Sequence, residues 1–123
     1  VYGTLMKGQS RNAVLRGQSY VGPYYTKERL TLARVSGFDF PAIVSGAPGP
    51  TQIAGELWSV DASCLRDLDM IEGAPGFYRR ENIELADGTK AIAYVLDVHH
   101  FADVDAATIA SGDWRTVCPD IEP

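Results

Sequence analysis

Short apolar runs broken by glycine and proline fill most of the chain, and only one stretch repeats with a helical period. Val1 to Leu5 reads as a strand that ends at Gly3-Thr4, and Ser10 to Leu15 offers a cap and one or two helical turns. Ser19 to Thr26, rich in tyrosine and valine, reads as a strand broken at Gly22-Pro23, and the alternation in Leu30 to Val35 as a second one. Residues 37–50 hold three prolines and three glycines, which predicts a loop with a short strand at Ala42-Ile43-Val44. Gly55 to Val60 is a further strand.

The clear helix follows. Asp61 can cap it, Leu65, Leu68 and Glu72 fall at i, i+3 and i+7, and Gly73, Pro75 and Gly76 stop it. Tyr78 to Leu85 and Lys90 to Leu96 flank Asp87-Gly88, the signature of a tight hairpin. Residues 106–110 suggest a short helix, and Ser111 to Arg115 closes the globule, with Trp114 and Arg115 as either a lid or an indole-anchored tail. Six or seven strands and few helices predict an α+β fold, a small mixed β-barrel or curled sheet with helices packed outside, in one domain over residues 1–123.

Charge and composition narrow the partners. The formal net charge is −5, which argues against nucleic acid or an anionic membrane surface. No run of apolar residues approaches bilayer length. The short, unflanked apolar start does not read as a secretion signal, and its first residue, Val1, suggests that the first strand begins earlier. Two cysteines, Cys64 and Cys118, share no motif spacing and fit idle thiols in a reducing compartment, so a cytoplasmic protein is expected. His99 and His100 point to opposite faces of any strand, and no metal site or cofactor is expected.

Glu72 is the residue whose placement asks for chemistry. It shares the helix face of Leu65 and Leu68, which should point at the core. Burial and the negative end of the helix dipole both favour the neutral acid and raise its pKa, as suits a general base. The alternatives are that it turns into solvent or pairs with Arg79 or Arg80. Tyr2-Gly3-Thr4-Leu5 can aim several backbone N–H groups at one carboxylate or oxyanion, or can be an ordinary strand end. Tyr78 and Arg80 share one face of their strand, and Tyr94 can lie across the hairpin, either as site residues or as cross-strand packing.

In this order and spacing, Tyr2-Gly3-Thr4-Leu5, Gly55 to Asp61, Leu68 to Glu72, Tyr78, Tyr94 and the Gly112 to Arg115 tail resemble the γ-glutamylcyclotransferase-like family, most closely the γ-glutamylamine cyclotransferases and their small bacterial relatives. The resemblance implies a cofactor-free enzyme acting on a small-molecule γ-glutamyl substrate. It implies Glu72 as general acid/base, and Tyr2, Gly3, Thr4, Leu5, Tyr78 and Tyr94 as substrate-binding residues. The substrate's α-amino group would attack its own γ-carbonyl and release 5-oxoproline and an amine. Gly3 would leave room for substrate against the backbone, and the loop within 37–50 would select the acceptor end. Relatives that lack the glutamate imply two alternatives, a non-catalytic small-molecule-binding module and a protein-interaction domain.

Overall fold

The computed structural model describes residues 1–35, 40–74, 76–97 and 106–118. Among the described residues six strands form one mixed sheet: β1 (Ser19–Val35), β2 (Pro41–Pro48), β3 (Thr51–Ser59), β4 (Arg79–Glu84), β5 (Lys90–Asp97) and β6 (Ala106–Thr108). The order is β3-β1-β2-β5-β4, with β6 added to β1. Every pair is antiparallel except β2 and β5, which run parallel. The far end of the path curls back: Thr26 of β1 bridges Leu85 just past β4, and the Ala86 amide donates to the Tyr25 carbonyl. Among the described residues there is one α-helix, α1 (Ala62–Glu72), and two 3₁₀ turns, over Asn12–Leu15 and Trp114–Thr116. The α+β class and the curled mixed sheet with few helices are therefore as expected.

Four local expectations are corrected. Val1 to Leu5 is not a strand: Val1 pairs with the Glu56 backbone, and the chain then runs into turns from Gly3 on. The two strands expected at 19–26 and 30–35 are one strand of 17 residues. Its ladder with β3 shifts register between Tyr20 and Gly22 and again between Tyr25 and Arg29, so the Gly22-Pro23 break is a bend within a continuous strand. Most of the expected loop at 37–50 is β2, which lies between β1 and β5. Residues 37–39 of that loop, and His99 and His100, lie outside the described residues. Residues 106–108 form an edge strand against β1, not the start of a helix.

Two apolar clusters set the site's frame. Met6, Leu32, Ile43, Ile53, Val95 and Trp114 fill the sheet core, each essentially buried. Trp114 is thus an anchor inside the core, and Arg115 pairs with Asp113. The second cluster, Leu5, Leu15, Cys64 and Leu68, fastens α1 to the N-terminal segment. Consecutive residues of that segment face opposite ways: Leu5 packs under the helix while Met6 enters the sheet core. Each fully buried side chain of this size contributes roughly 1.5–3 kcal/mol, so the loop before Leu5 is pinned from both sides.

Candidate active site

Glu72 reaches its position through the helix that ends on it. Asp61 caps α1, its carboxylate accepting from the Cys64 amide at 2.7 Å. At the other end Gly73 adopts a left-handed conformation, φ 65°, which a side chain would strain. The Ala74 amide donates to the Asp69 carbonyl and the Gly73 amide to the Met70 carbonyl, the paired bonds of a Schellman stop. The chain then turns back, and the Tyr78 amide donates to the Glu72 carbonyl at 3.2 Å. Leu65, Leu68 and Glu72 line a cavity of about 580 Å³, while Met70 is 81% exposed on the opposite side.

The same cavity is lined by Tyr2, Gly3, Thr4, Leu5, Tyr78 and Tyr94. All seven residues singled out in the sequence therefore border one space. The Glu72 carboxylate forms no hydrogen bond or ion pair with any described residue. Arg80 bonds Asp69 instead, and Arg79 bonds Ser45 and Glu81. Burial raises the Glu72 pKa above the ordinary carboxylate value, and the charge of Arg11 partly opposes the rise.

Across the cavity the chain forms tight turns. The Met6 amide donates to the Gly3 carbonyl and the Arg11 amide to the Thr4 carbonyl. The Gly3, Thr4 and Leu5 amides donate to no other described residue, so three donors remain beside the cavity. The loop is held by a second carboxylate. Glu56 of β3, 7% exposed, accepts from the Lys7 amide at 2.9 Å and the Trp58 indole at 3.2 Å through one oxygen. Its backbone exchanges both hydrogen bonds with Val1. Two carboxylates thus border the cavity with different duties: Glu56 is committed to protein donors, and Glu72 is not.

The tyrosines differ from expectation in how their hydroxyls are used. Tyr2 donates to the Tyr94 carbonyl at 2.6 Å and accepts from the Ile43 amide. Tyr78 donates to the Pro41 carbonyl at 2.7 Å, and Tyr94 to the Asp69 carboxylate at 2.5 Å. Each hydroxyl proton is spent inside the protein, so none of the three is left to donate into the cavity. Burial raises the pKa of all three. Asp69 is held down to about 2 by Arg80 and Tyr94. At Gly3 a Cβ would lie 2.8 Å from Cδ of Pro41, so the approach of β2 by itself calls for glycine at this position.

Residues 1–116 match the family model for γ-glutamyl cyclotransferase, AIG2-like. The chain belongs to the AIG2-like γ-glutamyl cyclotransferase family. A Vibrio cholerae protein provisionally named a γ-glutamylcyclotransferase is 33% identical over 114 residues, covering 93% of this chain and 91% of its own. The rat γ-glutamylaminecyclotransferase is 32% identical over 95 residues, and the match spans 69% of this chain and 60% of the rat protein. Among solved structures, a Pyrococcus horikoshii protein superposes with a TM-score of 0.73 at 26% identity, covering 95% of this chain and 88% of that one. The mouse AIG2-like protein gives 0.69 at 25% identity, covering 79% and 73%. A Kluyveromyces lactis allophanate hydrolase shares the fold alone, at 18% identity and TM-score 0.79, over 98% of this chain but 20% of its own.

Two cavity residues of this AIG2-like chain escaped the sequence reading. Glu56 alternates with Ala54 and Trp58 in β3, and a carboxylate at the centre of so apolar a strand was a readable signal. Arg11 carried no such signal. It lines the cavity only because the turns after Thr4 fold the chain back. Among the described residues no cluster of His, Cys, Asp and Glu could hold a metal ion, and no helix is long and apolar enough to cross a membrane.

Proposed function

We propose that this protein is a γ-glutamyl cyclotransferase in which Glu72 serves as general base and then general acid. The observation that carries the reading is a half-buried, uncommitted carboxylate bordering the same cavity as three unspent backbone amides. The Gly3, Thr4 and Leu5 amides hold the carboxylate of the γ-glutamyl group. Glu72 takes a proton from the substrate's α-ammonium group. The freed nitrogen attacks the γ-carbonyl carbon, a C–N bond forms to close the five-membered ring, and the original amide C–N bond breaks. Glu72 returns its proton to the departing nitrogen, the closing nitrogen gives up its second proton, which protonates the released amine, and 5-oxoproline is left.

The nucleophile is tethered to its electrophile, so the site gains most by holding one reactive rotamer in place. A base with a raised pKa suits this task, because it binds the proton better than an ordinary carboxylate and still releases it to an amine. Apolar side chains such as Leu5, Leu65 and Leu68 make up much of the cavity wall, which strengthens polar contacts inside it. Glu72→Gln tests the assignment. The amide keeps the shape but accepts no proton, so 5-oxoproline release should fall by ~10²–10⁴-fold while substrate still binds. Wild-type turnover by the variant would refute the role of Glu72. Binding without turnover by both proteins would instead support a non-catalytic module.

A further inference from the structure

We propose that Arg11 makes this protein selective for γ-glutamyl compounds whose departing amine is an apolar α-amino acid, with Arg11 taking that amino acid's carboxylate and Phe40 and Phe77 its side chain. The proposal rests on the cyclotransferase reading and names the other half of the substrate. With the γ-glutamyl group held at the loop amides, the departing amine must extend from Glu72 toward solvent. Next to Glu72, the exposed cavity-lining residues are Arg11, Ile71, Gly73 and Phe77. Phe77 meets Phe40 edge-on with ring centroids 6.3 Å apart, and it meets Tyr78 at 5.0 Å. These rings form an apolar shelf beside the base.

Arg11 stands over that shelf, its guanidinium carbon 5.7 Å from the Phe40 ring centre. Its position is fixed from behind, since its amide donates to the Thr4 carbonyl at 2.8 Å within the substrate-holding loop. Among the described residues it has no ion-pair partner. The other lining cation, Lys90, is bound to Glu84. A guanidinium without an ion-pair partner, within cation–π reach of an aromatic ring, can offer its donors to a planar carboxylate while its ring contact is kept. A departing simple amine would leave Arg11 without a partner, and a departing diamine would bring a second cation toward it.

Two compounds separate the carboxylate from everything else: γ-glutamylphenylalanine and γ-glutamylphenethylamine. They share the scissile bond and the aromatic body. The wild type should favour the first by ~10–100-fold in kcat/KM, the range for a charge-assisted hydrogen-bonded pair. In Arg11→Gln that ratio should collapse toward one, and Arg11→Lys should restore part of it. A wild-type ratio near one overturns the proposal. So does an Arg11→Gln variant that loses rate on both compounds with the ratio unchanged, which would place Arg11 on the γ-glutamyl carboxylate. Affinities for the same two compounds, measured by calorimetry, give a second reading that needs no turnover. If neither compound yields 5-oxoproline, the cyclotransferase reading fails. The carboxylate preference and its loss in Arg11→Gln still support the Arg11 assignment, and equal affinities still refute it.

Discussion

Glu56→Ala should loosen the cavity-lining loop at residues 3–5 without touching its backbone. The substitution removes the acceptor for the Lys7 amide and the Trp58 indole, and it leaves the backbone pairing with Val1 in place. Hydrogen bonds to a charged group contribute about 1.5–3 kcal/mol each, and a buried donor left unmatched costs a further 1–3 kcal/mol or so. The Trp58 bond is the longer and sits on a half-buried ring, so it belongs at the bottom of that range. Together the two give a loss of roughly 3–5 kcal/mol. A chain of this length changes melting temperature by about 4 °C per kcal/mol, so calorimetry should record a fall of about 12–20 °C. Glu56→Gln keeps a neutral acceptor on an isosteric side chain and should lose less than half as much. Trp58→Phe in the Glu56→Ala background should cost much less than it does alone, because its partner is already gone. A melting point for Glu56→Ala within a few degrees of wild type would refute the clamp.

Other consequences follow from the same contacts. With Glu72 as the proposed base, its ionised form is the active one, so kcat/KM should rise with pH through an acid limb lying above the ordinary glutamate value of 4.5, and Glu72→Gln should abolish that limb. Arg11 lowers the Glu72 pKa, so Arg11→Gln should move the limb to higher pH; a limb that stays put would separate the two groups electrostatically. In Tyr94→Phe the Asp69 carboxyl loses one of its two donors, so its pKa should climb from about 2 by NMR titration with little change in KM; a large rise in KM would put the Tyr94 hydroxyl on the substrate instead. Gly3→Ala should destabilise the fold by about 1–3 kcal/mol through its clash with Pro41, seen by denaturant unfolding, and a neutral effect would show that β2 can yield.

What could be read from the sequence was local. The cap at Asp61, the stripe through Leu65, Leu68 and Glu72, and the stop at Gly73 are neighbours in the chain, and α1 forms where they put it. The Asp87-Gly88 hairpin is equally local, with Gly88 at φ 90°. The errors arose where distant segments decide. β2 carries glycine and proline that read as loop, yet the parallel pairing of Ile43 with Val95 makes it a strand. The bend in β1 looked like an end because a bulge and a break leave the same Gly-Pro trace. At the site, the loop and the glutamate could be named from spacing and resemblance. The partners of the tyrosine hydroxyls, the clash behind Gly3 and the place of Arg11 are tertiary contacts, invisible to any local pattern.

The central claim is that the substrate's own nitrogen, not water, opens the γ-glutamyl bond at this cavity. Its most direct test is product identity. Wild-type protein is incubated with a panel of γ-glutamyl amino acids and γ-glutamyl amines, and the products are separated by mass spectrometry. The account predicts 5-oxoproline and the free amine in equal amounts, with no label taken up from ¹⁸O water. Labelled glutamate as the product would mean that water is the nucleophile, and the account would be contradicted.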